Sequence, residues 1–99
     1  MAVGVLMMAP GMTQQNYDQI NEAMFGPGEF DPGDAPEGLL VHSAGPAEGG
    51  WYVYDIWESR EAFERFANER LMQAMQKVLG GPPPGDGPQF FEIANLFRA

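Results

Sequence analysis

The stretch Trp51-Tyr52-Val53-Tyr54-Asp55-Ile56-Trp57-Glu58 decides how this chain folds. A strand points successive side chains to opposite sides. One face therefore takes Trp51, Val53, Asp55 and Trp57, and the other takes Tyr52, Tyr54, Ile56 and Glu58. Both faces carry large apolar groups, whereas a strand with one wet face alternates apolar with polar. This strand reads as covered on both sides.

On its C-terminal side, Ser59 is a good helix cap, and a helix to about Leu79 presents Phe63, Phe66, Leu71, Ala74 and Met75 on one face. Glu61 falls in the first turn, where a negative charge meets the positive end of the helix dipole. The Gly/Pro run 80–85 ends the helix, and a last strand is expected over 89–97. On the N-terminal side, residues 45–50 form a hairpin connection to a strand over 38–44. The chain opens with an apolar strand over 2–9, closed by Pro10-Gly11. Thr13 then caps a helix from Gln14 to Phe25, striped by Tyr17, Ile20 and Met24. The acidic, Pro/Gly-rich segment 26–37 leaves no room for a regular element and is expected to be a lid or a tolerated insertion.

The order is β-α-β-β-α-β in one domain over residues 1–99. That order points to an α+β, ferredoxin-like sandwich with both helices on one face of an antiparallel sheet. Two helices cover one face only. A second copy of the chain is the economical cover for the other, which gives the expectation of a homodimeric α/β barrel.

With 99 residues, the chain can bury a modest core and has little length left for a deep private cavity. Fourteen acidic residues face five basic ones, a net charge of −9, which argues against nucleic acid and against an anionic membrane surface. The absence of cysteine removes disulfides, thiolate metal sites and thiol nucleophiles, and fits a cytoplasmic protein. With one histidine and no cysteine, no metal site is expected. The apolar start is too short to span a bilayer.

The run Val53-Tyr54-Asp55-Ile56-Trp57-Glu58-Ser59-Arg60-Glu61-Ala62-Phe63 resembles the strand-to-helix signature of the dimeric α/β-barrel superfamily. That group includes the antibiotic-biosynthesis-type monooxygenases and the small haem-degrading monooxygenases. The segment 38–46 with the tryptophan-rich strand resembles short, uncharacterised bacterial relatives. The resemblance implies a cavity tryptophan that helps to bind a flat polyphenol, and Trp57 occupies that place. The asparagine that accompanies it in those enzymes falls on Val53, and the tyrosine of the following helix falls near Phe63. In the haem-degrading enzymes a tryptophan and a histidine lie on the second helix. Phe66 and Gln76 stand there in this chain, and no asparagine lies on the first strand, so haem is not expected and no cofactor is.

Proton-transfer chemistry rests on His42 and Asp55. An imidazole is the side chain poised near neutral pH, and a carboxylate in an apolar strand could orient it. With Ala44 opposite Trp51, Asp55 is a diagonal neighbour of His42. The bland alternatives are a satisfied strand histidine and an interface carboxylate. Trp51, Tyr52, Tyr54, Trp57 and Phe66 are the expected lining for a hydrophobic small molecule. Two functions follow. One is a small cofactor-independent enzyme (monooxygenase, cyclase or isomerase) acting on an aromatic or polyketide-like compound. The other is a non-catalytic ligand-binding or structural homodimer.

Overall fold

The structure is a computed structural model that describes residues 1–26, 35–81 and 84–97. Its elements run β1 (Val3–Pro10), α1 (Gln14–Phe25), β2 (Leu39–Ala47), β3 (Gly50–Trp57), α2 (Arg60–Phe66), a π-helical turn (Ala67–Leu71), α3 (Met72–Leu79) and β4 (Gln89–Glu92). The strands form a four-stranded sheet in the order β2-β3-β1-β4, and every neighbouring pair is antiparallel. This small α+β arrangement is compatible with a ferredoxin-like sandwich.

Both helix starts follow from local chemistry. The Thr13 side chain accepts from the Asn16 backbone N–H while the Asn16 side chain accepts from that of Thr13, closing a capping box. Ser59 accepts from the N–H of Ala62 at 3.1 Å. The second helix is not uniform, as five residues between α2 and α3 take the wider π form. Such a turn is frequent at functional sites.

The helices lie against the face of β3 that carries Trp51, Val53, Asp55 and Trp57. Two apolar clusters form there. Met12, Ile20, Trp51, Leu71, Ala74 and Met75 make one, and Val5, Trp57, Ala62 and Phe63 make the other. Met7, Phe66 and Ala67 pack against both. The outer face holds Leu6, Met8, Tyr52, Tyr54 and Ile56. Its tyrosine rings lie close over Gly4 and Gly45, where an added Cβ would stand 2.5 Å from the Tyr54 hydroxyl oxygen and 3.1 Å from the Tyr52 ring.

Two boundaries differ from the sequence expectation. The hairpin turn is the residue pair 48–49 rather than the six residues 45–50, because β2 continues through Pro46 to Ala47. A proline is tolerated there because β2 is an edge strand. Pro46 consequently faces Trp51 and Ala44 faces Val53, so the pairing is displaced by two residues. A two-residue displacement keeps every side chain on its face. The last strand stops at Glu92 instead of Phe97. Val3, its partner, is where β1 begins, and beyond it the Ile93 N–H donates to the Ala2 carbonyl at 3.0 Å. Most of the expected lid or insertion, residues 27–34, lies outside the described residues.

Candidate functional site

A cavity of about 100 Å³ opens between the sheet and the helices, where the two apolar clusters meet. Its walls are mostly apolar, with Met7, Ile20, Val53, Leu71 and Met75 among them. Four polar side chains gather at it: Tyr17, Asn21, His42 and Asp55.

The displaced hairpin register puts His42 directly opposite Asp55 on neighbouring strands, not diagonal to it. His42 Nδ1 lies 2.7 Å from Asp55 Oδ1. The second carboxyl oxygen accepts the indole N–H of Trp57 at 3.3 Å. Trp57 is two residues along β3, hence on the same face. Asp55 is 4% exposed, and a carboxylate so deep in an apolar layer persists when its oxygens are hydrogen-bonded.

Tyr17, on α1, brings its hydroxyl to 2.5 Å from His42 Nε2. The two rings are nearly parallel, at 7° with centroids 6.2 Å apart. The result is a chain of contacts from phenol to imidazole to carboxylate. An ionised carboxylate can only accept, so the Nδ1 proton of His42 points at Asp55. In the neutral ring Nε2 is then an acceptor, and the Tyr17 O–H donates to it. Burial pushes the Tyr17 phenol above its ordinary value of 10.0. The negative charges of Asp55 and Asp18 push the same way, and the Asn21 side chain offsets part of it. Tyr17 therefore keeps its proton at neutral pH.

Of the residues expected from sequence, His42, Asp55, Trp51, Trp57 and Phe66 all line this cavity. Tyr52 and Tyr54 do not. The pleat carries them to the outer face over Gly45 and Gly4, so they cannot share a cavity with His42, and their expected place in the lining is corrected. Trp57 is fully buried and packs against Phe63 and Phe66, with centroids 5.7 and 5.2 Å away. Sequence reasoning missed Tyr17 and Asn21 as site residues. They are four apart on α1, beside the stripe of Ile20 and Met24, and that spacing could have marked a polar pair on an apolar face. Among the described residues, no cluster of three or more His, Asp or Glu side chains could hold a metal ion, and no helix is long and apolar enough to cross a membrane.

No protein-family model matches this chain, and no curated protein matches it in sequence. Among solved structures it is similar to that of Rv0793 from Mycobacterium tuberculosis. The two superpose with a TM-score of 0.51 at 15% identity, over 99% of this chain and 96% of that one. At that identity the likeness is one of fold: a small antiparallel α+β domain.

Proposed function

We propose that the protein is a small enzyme that works without a cofactor, as a monooxygenase, cyclase or isomerase, on an aromatic or polyketide-like small molecule. The observation that supports this reading is the Tyr17–His42–Asp55 chain at the polar end of an apolar cavity. An acidic hydrogen of the substrate passes to the Tyr17 oxygen while the Tyr17 proton passes to Nε2 of His42. The imidazolium so formed lies against the Asp55 carboxylate. Returning the proton to a different atom gives isomerisation, and attack by the carbanion on a second carbonyl gives ring closure. With dioxygen as oxidant, the carbanion forms a C–O bond to give a peroxide, which takes up a proton and loses water to leave a new C=O group. His42 is the proton acceptor, Asp55 holds its tautomer, and Trp51, Trp57 and Phe66 surround the ring.

The test is hydrogen–deuterium exchange at the methyl group of acetophenone in D2O, followed by NMR. The wild-type protein accelerates exchange over buffer, and His42→Ala loses about 10²-fold or more of that acceleration. Binding without acceleration would sink the enzyme reading and leave a ligand-binding module.

The outer face supports the homodimer as part of the same proposal. Met8 and Phe91 are 43% and 46% exposed there, beside half-buried Tyr52, Tyr54 and Ile56. An apolar face of this kind is the sort that a second copy covers. Light scattering at micromolar concentration should give twice 10.9 kDa, and a monomer ends the barrel proposal. The acidic, cysteine-free composition is in keeping with a cytoplasmic setting.

A further inference from the structure

Trp51 lines the cavity and is 8% exposed, with its ring 5.3 Å from that of Tyr17. Its indole N–H is buried and has no acceptor among the described residues. The contrast with Trp57 is informative, since the same group there donates to Asp55. Buried tryptophans usually place this donor on a partner, because leaving it unpaired gives up the hydrogen bond it had with water. An oxygen atom brought into the cavity by a ligand would supply what Trp51 lacks once the indole edge turns towards it.

The charges around the cavity narrow what that ligand can be. Among the described residues its lining contains no Lys and no Arg, and Asp55 is the one carboxylate there. A carboxylate or phosphate entering would meet no cation and would face a negative charge across an apolar wall. Size narrows it further. Apolar cavities of about 150 Å³ take a benzene molecule, so a volume of about 100 Å³ has room for no more than one ring, and the rest of the ligand lies in the mouth.

We infer that Trp51 is the ligand-binding donor of this site, and that the ligand is an uncharged, enolisable aromatic ketone whose carbonyl oxygen accepts the Trp51 Nε1–H. This inference rests on the proposed proton-transfer chemistry and names its substrate class. In the reaction, the C–H bond next to the carbonyl breaks. Its proton goes to the Tyr17 oxygen as the Tyr17 proton goes to His42 Nε2. The electron pair moves into the new C=C bond, and charge accumulates on the carbonyl oxygen as an enolate. A donor already fixed at that oxygen stabilises the charge as it develops. Trp51 and the Tyr17–His42 pair thus act on the two ends of one functional group.

Three probes of one ring each separate the possibilities: acetophenone, ethylbenzene, which lacks the oxygen, and benzoate, which is charged. Each is titrated into ¹⁵N-labelled wild-type protein while the two indole N–H signals are followed. Acetophenone should move the Trp51 signal downfield, ethylbenzene should bind without that shift, and benzoate should not bind. Trp51→Phe should weaken acetophenone about tenfold, the loss of one hydrogen bond, and leave ethylbenzene unchanged. The inference is overturned by an unmoved Trp51 signal on bound acetophenone, by equal losses for the two neutral probes, by tight benzoate binding, or by neither neutral probe binding. The wild-type titration decides the matter even if the variant does not fold. A Trp51 shift without catalysed exchange would overturn the enzymatic step and keep the ligand assignment, so the two failures are distinguishable.

Discussion

Replacing Asp55 by Asn changes one atom and should reverse the direction of every hydrogen bond from His42 outward. In the native protein two donors, the His42 Nδ1–H and the Trp57 Nε1–H, share the two carboxyl oxygens at 2.7 and 3.3 Å. Asparagine has one oxygen to offer. Trp57 is fully buried and its indole can only donate, so it has no alternative acceptor. His42 has an alternative, because its ring can move the proton to the other nitrogen. The Asn oxygen therefore goes to Trp57, and its NH2 donates to His42 Nδ1. The proton moves to Nε2, and Tyr17 becomes an acceptor. The relay is then blocked, since Nε2 can no longer take the Tyr17 proton. A charge-assisted bond of about 1.5–3 kcal/mol is exchanged for a neutral one of about 0.5–1.5. Relief of the buried carboxylate offsets part of that. The net loss is about 1 kcal/mol, a fall in Tm of about 4–8 °C for a domain of this size. Asp55→Leu instead leaves the Trp57 N–H unpaired in the core and should cost a further 1–3 kcal/mol, roughly. The chain has one histidine, so a long-range ¹H–¹⁵N spectrum reads the tautomer without assignment. A proton still on Nδ1 in Asp55→Asn, or already on Nε2 in the wild type, would refute the hydrogen-bond directions argued here.

Other outcomes follow from the same contacts. The pKa of Tyr17 is raised by folding, so the folded chain holds a proton that the unfolded chain has lost. Stability is therefore unaffected below about pH 10 and falls as pH rises from there towards the folded value. Tyr17→Phe should flatten that part of the stability curve in urea titrations at pH 9 to 11, roughly, and an unchanged slope would count against burial as the cause. Ser59→Ala removes the acceptor for the Ala62 N–H at 3.1 Å and should cost about 1 kcal/mol in chemical denaturation. Gly50→Ala places a Cβ 2.3 Å from the Ala9 carbonyl oxygen, a backbone atom that cannot swing aside. A loss of about 1–3 kcal/mol is expected, and a neutral substitution would show that the β1–β3 register is looser than described.

The outline of the fold was legible because its signals are local. Both faces of β3 are apolar, and Thr13 and Ser59 each precede a periodic run. The π-helical turn was not legible, since the apolar stripe on either side of Ala67–Leu71 reads the same through one ordinary helix. The strand pairing was read two residues out because Gly45 and Pro46 look like turn residues. The closeness of His42 and Asp55 does not depend on that displacement, because a shift of two preserves the faces. His42 and Asp55 stay together on either pairing, while a shift of one would have parted them. Tyr17 was visible only as part of a stripe. The Tyr17/Asn21 spacing marks a polar pair on α1, but the partner of Tyr17, His42, is set by packing and cannot be read from the helix alone.

Pro46, which displaced the hairpin, also bears on how copies of this chain can meet. A sheet grows sideways when a free margin offers a regular row of N–H and C=O groups to a neighbour. On one margin β2 breaks that row with a residue that has no N–H and with a bulge between Leu39 and Val41. On the other, β4 has four residues, too short a template for sustained pairing. Lateral addition of copies, the route to fibres, is discouraged at both ends. That leaves the broad surface where the two outer tyrosines lie over glycines as the face for the homodimer proposed above.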